Sequence, residues 1–354
     1  MHNYLELNRQ ECNVLKGLAI ICIFLHNYCH LLPHAPQENE YFWSIDNTDY
    51  FYNTISNETF ISLFSFLGHY GVAIFVFLSG YGLVRKYGNL ETSNIKNYIV
   101  KHFLKLFKLM FPGFIVYYAV NWILYGDFDE LNMLRIVSQL IFLNNLIPTK
   151  ISPIVPGPYW YFGLTMQFYL VYLLLYKRSS VKQWLFAMIC VFTLILSKNH
   201  HYLTVWIKYN FIGSIIPFIL GASVAKYKLL MNCHHEKWFY AIIAVISIGL
   251  FLISEFSFYT WILSSVFVIC FSICIIKLSV SWVTIFFSSV GSISHLIFVI
   301  HPIVRLLVLY LQHGSAFGWQ FWIVIYAGLT LGISSLLPYL STIRLKMISN
   351  DVKN

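Results

Sequence analysis

Apolar residues fill this chain in long, nearly uncharged runs separated by short polar stretches. The runs are roughly 17–25 residues long, the length an α-helix needs to cross a bilayer. They lie at 13–32, 60–84, 103–125, 159–176, 183–198, 203–225, 238–254, 258–276, 288–311 and 317–341. The pattern predicts an all-α polytopic membrane protein, a bundle of about ten transmembrane helices. The stretch from Leu131 to Ile147 differs, with apolar residues at helical spacing and polar ones between; it reads as an interfacial or partly re-entrant helix. No repeat, low-complexity tract or linker interrupts the pattern. The expectation is one integral-membrane domain over 1–354 with no separate soluble domain. The first run lacks a small-residue cleavage site and carries polar groups, so it reads as a retained helix.

Composition agrees: the chain is 58% hydrophobic and 10% charged, unlike a soluble domain. A formal net charge of +9 would suggest nucleic acid in a soluble protein. Here its distribution points to topology. Arg9, Arg85, Lys86, Lys96, Lys101, Lys177, Arg178, Lys182, Lys226, Lys228, Lys237, Lys277, Arg344, Lys346 and Lys353 all fall on one side of a ten-helix arrangement. The other side holds Arg135, Lys150 and Lys198 and little else, and its loop 33–58 has Glu38, Glu40, Asp46, Asp49 and Glu58 without Lys or Arg. By the positive-inside rule both termini are cytoplasmic, and no nucleic-acid partner is expected. The seven cysteines, Cys12, Cys22, Cys29, Cys190, Cys233, Cys270 and Cys274, are odd in number and mostly within apolar runs, so no disulfide framework is expected. Aromatics reach 19%, with many Trp and Tyr near run ends, where interfacial belts form.

The polar residues inside the runs are the candidate chemistry, because an ionisable group at that depth is costly unless it faces a polar cavity. In the first run Lys16 precedes His26 by ten positions, roughly 15 Å along a helix axis. His30 follows one turn later on nearly the same face. These two imidazoles suggest a metal pair, but no neighbouring carboxylate or thiolate motif completes it, and no metal is expected. Lys101, Lys105 and Lys108 recur at i, i+4 and i+7 before Pro112, near Arg85 and Lys86. Ordinary positive-inside anchoring explains that spacing; so does a clamp for an anionic cytosolic ligand, extended by Lys16. Between Gly71 and Gly82, small residues including Ser79 suit close helix packing, with Ser79 as a hydrogen-bond donor. Gln167 and Tyr169 lie in the aromatic run that starts at Pro158, and Gln167 needs a polar partner there. His301 and Arg305 share a face at i, i+4, marking either a cavity or a structural hydrogen-bond network. In loop 33–58, Tyr41, Phe42, Trp43, Asp46, Asp49 and Tyr50 combine aromatic faces with carboxylates. That suits a sugar, and equally an interfacial loop.

Five segments carry a resemblance in order: Lys16 through His26, Gly71 to Gly82, the basic stretch 101–112, Tyr159 to Tyr169, and Gly291 to Pro302. Together they resemble the acyltransferase-3 family of integral-membrane acyltransferases, over nearly the whole chain. The resemblance implies a bacterial inner-membrane, multi-pass enzyme that transfers an acyl group, usually acetyl, from acyl-CoA to a hydroxyl of a cell-envelope polysaccharide or glycolipid. Lys16 and His26 resemble the family's basic residue and histidine of the first helix. Many members place that histidine eleven positions after the basic residue, where this chain has Asn27, so either His26 or His30 takes the role. The fourth-run motif often has a carboxylate where Thr165 and Met166 stand. No esterase-like domain is expected after the membrane part.

The expected mechanism places CoA phosphates on Lys16, Arg85, Lys101, Lys105 and Lys108, with His26 or His30 as general base or acyl carrier. His301, Arg305, Gln167 and Ser79 are candidates to orient the base or stabilise the oxyanion, and Tyr169, Trp43 and Asp46 to support the substrates. The competing class is a transporter of a small or anionic solute.

Overall fold

The computed structural model describes residues 7–88, 94–126, 132–148, 151, 153–175, 178–228 and 236–351, with side chains up to Tyr339. Every regular element among them is helical. Six helical segments are long and apolar enough to cross a membrane: Arg9–Cys29, Thr59–Tyr87, Ile95–Tyr125, Lys237–Ser254, Ser294–Gln312 and Trp319–Tyr339. Ser180–Leu196, Ile215–Tyr227 and Ser264–Leu278 are apolar but shorter. The chain is thus a multi-pass membrane protein, and each of the ten apolar runs is helical over most of its length.

The two innermost spans come first in the chain. Arg9–Cys29 (α1) and Thr59–Tyr87 bury 61% and 78% of their most apolar windows, against 22–39% for the other four. Helix α1 opens on a capping box, in which the Asn8 side chain accepts from the Glu11 N–H and Glu11 reaches back to the Asn8 N–H. Glu11 also pairs with Lys277 at the end of Ser264–Leu278 (α13), so these two helix termini share one end of the bundle. The second span is Thr59–Leu67 (α3) and Gly71–Tyr87 (α4), joined by a 3₁₀ turn, Gly68–Tyr70. The short Ile45–Thr54 (α2) lies in the preceding loop, capped by Ser44. Ile95–Tyr125 (α5) begins two turns earlier than its apolar run does.

Close backbone approach fixes two helix pairs. A side chain on Gly80 or Gly221 would run into the backbone carbonyl of Phe218 or Phe77, so α4 and Ile215–Tyr227 (α10) meet glycine to backbone on both sides. Gly17 and Gly291 do the same for α1 and Ser281–Ser292 (α14). The packing reading of the glycine-rich run therefore holds for Gly80, whereas Gly82 faces open space.

Three apolar runs are broken where the pattern predicts one helix. Run 203–225 divides into His201–Lys208 (α9) and α10. At the break, Asn210 donates to the carbonyls of Asn145 and Trp206 at 3.0 and 2.7 Å, and the Phe211 N–H donates to Gln167 at 2.9 Å. Side-chain amides replace the helix's own bonds there. Run 288–311 breaks at Ile293, between α14 and Ser294–Gln312 (α15), where Ser292 folds back onto the Ser289 carbonyl at 2.7 Å. Run 258–276 opens as the one-turn Phe258–Trp261 (α12) and continues as α13.

The amphipathic stretch forms only Met133–Leu140 (α6), and Leu131 lies outside the described residues. Its non-helical continuation dips into the bundle on buried amides: Asn144 donates to Gln139 at 2.7 Å and Asn145 to the Tyr209 carbonyl at 2.7 Å. Buried irregular backbone is tolerable in a membrane protein only when satisfied in this way. Trp160–Leu175 (α7), Ser180–Leu196 (α8), Lys237–Ser254 (α11) and Trp319–Asp351 (α16) complete the bundle. The six described cysteines are free, and Cys233 lies outside the described residues.

Candidate active site

The loop 33–44 is brought to the site by one buried carboxylate. Glu255, 1% exposed just past α11, accepts from Tyr70 (2.6 Å), Ser264 (2.8 Å) and Asn39 (3.1 Å). Its backbone carbonyl accepts from Trp43 (2.7 Å) and Thr48 (3.1 Å). Burial pushes the Glu255 carboxyl up, and the three donors pull it partly back. Trp43 is thus an anchor of the loop. Asp46 is exposed in the first turn of α2, and neither residue lines the cavity described next.

That cavity, about 360 Å³, opens between α1, the loop 33–44, the 3₁₀ turn, the segment 153–161 and α15. His26, His30, Glu38, Tyr41, His69 and Arg305 bring its polar groups, and Trp160, Tyr161, Tyr209 and Phe298 its aromatic wall. Gly68 makes this convergence possible. A Cβ there would lie 2.7 Å from the Cys22 carbonyl oxygen and 2.9 Å from the His26 Cβ, so only glycine lets the turn press His69 onto α1.

The histidine tautomers follow from their partners. Nδ1 of His26 faces the carbonyls of Ser65 (2.9 Å) and Phe64 (3.2 Å), so it carries the proton. Its Nε2 is then a lone pair, and Nδ1 of His69 stands 3.1 Å from it. Nε2 of His69 meets the Tyr41 hydroxyl at 2.6 Å and the Glu40 carboxylate at 3.5 Å. Burial holds the Glu40 carboxyl well above the usual carboxylate range. His30 stacks on His26 with ring centroids 4.8 Å apart, as the one-turn spacing requires. Its Nδ1 donates to the His26 carbonyl at 2.8 Å, leaving Nε2 with no partner among the described residues.

Arg305 donates through one terminal nitrogen to the carbonyl and side-chain oxygens of Asn27, at 3.0 and 3.1 Å. No carboxylate pairs with it among the described residues. Its face-mate His301 does not join the cavity: it is fully buried, with Nδ1 on the Ile297 carbonyl at 3.1 Å. Gln167 is occupied elsewhere, donating to Asn145 and Asn210 at 3.0 Å each. Ser79 donates back to the Phe75 carbonyl at 2.9 Å and lines no part of the cavity. Tyr169 packs on His102 with centroids 3.9 Å apart, also away from it.

The basic residues gather at one end of the bundle. The charges of Lys86, Lys16 and Lys101 all act on Lys105, and those of Lys16 and Arg85 on Cys12. Lys108 is exposed one turn further along α5. None of these residues lines the histidine cavity. On the cavity wall, the ring of Tyr161 stands 6.2 Å from that of Phe75 and 5.4 Å from that of Phe298.

Sequence reasoning missed His69 and Glu38 as site residues. His69 sits two positions before the glycine-rich segment that starts at Gly71, and nothing in its local pattern separates it from a core histidine. Glu38 was legible only as one of five loop acids. Both enter the site through tertiary packing. No motif beside His26 and His30 announces it, but this packing brings donor atoms of His26, Glu38 and His69 within 4.8 Å of one another.

A family model described as an acyltransferase domain matches residues 9–338, nearly the whole chain. No curated protein and no solved structure matches the chain.

Proposed function

The chain belongs to the acyltransferase-3 family, and from that premise we propose that it transfers an acetyl group from acetyl-CoA to a hydroxyl of a cell-envelope glycan or glycolipid, with His30 as general base. The observation that carries this reading is the free Nε2 of His30 inside the cavity, its ring held by the Nδ1–H bond to the His26 carbonyl. His26 is the weaker candidate because its corresponding nitrogen already faces His69.

The acceptor enters from the side of loop 33–44, where Trp160, Tyr41 and Tyr209 offer faces for sugar C–H groups. His30 Nε2 takes the hydroxyl proton as the oxygen attacks the thioester carbonyl. Arg305, with N–H groups not used on Asn27, faces the oxygen that becomes negative. As the carbon–sulfur bond breaks, the proton on His30 passes to the departing thiolate, and the base is restored. A positioned base of this kind contributes about 10²–10⁴-fold.

The acyl donor binds at the basic end, its phosphates on Lys16, Arg85 and Lys105 with Lys101 and Lys108 at the rim. Its pantetheine arm passes where Phe75, Tyr161 and Phe298 now touch. In this reading the basic end is cytoplasmic, the ten apolar runs each cross the membrane, both termini are in the cytosol, and the membrane is the bacterial inner membrane. The positive-inside distribution supports that orientation.

The test supplies purified protein with acetyl-CoA labelled in the acetyl group and an envelope glycan fraction. The expected result is label in the glycan that mild alkali releases as acetate. Label that never leaves acetyl-CoA, with folded protein and several glycan classes tried, overturns the reading.

A further inference from the structure

We propose that His26, His69 and Glu38 bind one divalent transition-metal ion of the zinc class, with its open position facing the cavity. Four observations carry this. The donor atoms of all three lie within 4.8 Å of one another. Nε2 of His26 and Nδ1 of His69 are 3.1 Å apart, close to the ligand–ligand edge of a tetrahedron whose metal–nitrogen bonds are about 2.0–2.1 Å. Each imidazole's remote nitrogen is held from behind. His26 Nδ1 is held by the Ser65 and Phe64 carbonyls, and His69 Nε2 by Tyr41 with the Glu40 carboxylate at 3.5 Å. That is the outer-shell arrangement that fixes the tautomer of metal-binding histidines. Finally, a Glu38 oxygen is buried without a hydrogen-bond donor.

The rival arrangement is a simple hydrogen-bond chain, with Tyr41 donating to His69 and His69 to His26. It leaves the Glu38 oxygen without a donor, and it gives His69 no proton to offer Glu40, one of whose oxygens is buried and unpartnered as well. With an ion on Nδ1, the His69 proton sits on Nε2 and faces both Tyr41 and Glu40. Glu38 completes the set by moving about 1.5 Å, to the spacing that bonds of about 2 Å require. A long side chain on a loop can make that adjustment.

The donor set selects the ion. Two imidazoles and one carboxylate match three-ligand catalytic zinc sites that keep a fourth position open. Imidazole nitrogen disfavours calcium and magnesium, and the lack of thiolate in the set disfavours copper(I). The ion's role rests on the acyl-transfer reading, although its binding does not. At the open position it would hold the acceptor hydroxyl, lowering the cost of its deprotonation while His30 Nε2 receives the proton.

The experiment uses the full chain in detergent, tag removed, stripped with a chelator. It is titrated with Co²⁺ as a spectroscopic probe, then reloaded with Zn²⁺ and dialysed for metal analysis. Wild type is expected to show visible Co²⁺ absorption and to retain one Zn²⁺ per chain. His69→Gln and Glu38→Gln, which preserve side-chain volume, should bind at least tenfold more weakly while eluting as monodisperse protein. His30→Ala should bind as wild type does. Wild type without retained Zn²⁺, or His69→Gln and Glu38→Gln binding as wild type does, overturns the site. Transfer by metal-free protein overturns the ion's part in the reaction, leaving the acyl-transfer reading intact. Stoichiometric metal with no transfer supports the site and refutes acyl transfer instead.

Discussion

His26 and His30 stack one turn apart in nearly parallel orientation, yet their hydrogen bonds assign them different tasks. His30→Ala is expected to lower kcat by about 10²–10⁴-fold, because the proton acceptor is removed while the cavity wall remains. His301→Ala, buried on the Ile297 carbonyl outside the cavity, should melt at lower temperature but keep a kcat within a few-fold of wild type. A loss from His301→Ala equal to that from His30→Ala would contradict the separation. Lys105→Ala should raise KM for acetyl-CoA about tenfold with kcat little changed, the signature of uniform binding. The candidate residues His26, His30 and Arg305 were legible because an ionisable group in an apolar run needs a reason. Gln167, polar but not ionisable, also needed partners, and its amide is consumed by Asn145, Asn210 and Phe211. A polar letter in a span reveals a need for partners without revealing whether those partners are protein or substrate.

At the scale of elements, the apolar period predicted helices well and their interruptions poorly. The breaks at 209–214 and 293 involve no proline. At 209–214 the amides of Asn210 and Gln167 take over the backbone's bonds from distant segments, which has no local signature. The close crossings were more legible, since small residues in an apolar run have few other uses. Gly80→Leu should therefore separate α4 from α10 against the Phe218 backbone, at a cost of about 3 kcal/mol. Size-exclusion profiles of the detergent extract would show the loss of monodisperse protein, and a wild-type profile would disprove the crossing. The loop 33–44 depends on Glu255 in the same way. Glu255→Ala leaves Tyr70, Ser264 and Asn39 without their acceptor, which should cost about 2–4 kcal/mol. The loop carries Glu38 and Tyr41 into the cavity, so thermal stability and transfer rate should fall together.

Across the whole molecule, charge is segregated: a basic end holds Lys16, Lys86, Lys101 and Lys105, and buried carboxylates gather around the loop. Because burial raises the Glu40 carboxyl above its ordinary 4.5, the folded state binds that proton more tightly than the unfolded chain does. Its stabilising contribution is complete below about 4.5 and is lost as pH rises toward the raised value. Wild type should therefore lose melting temperature as pH rises above 4.5, and Glu40→Gln should lose less over the same rise. An identical pH slope in the two proteins would refute this. The same charge segregation sets the proposed division of labour, with donor at the basic end and acceptor at the loop. The most direct test compares wild type with His30→Ala at equal amounts of folded protein and saturating labelled acetyl-CoA, following label into the envelope glycan fraction. The account predicts robust transfer by wild type and a rate at least one hundred-fold lower in the variant, roughly the lower limit for a lost general base. Transfer by His30→Ala at the wild-type rate would contradict it.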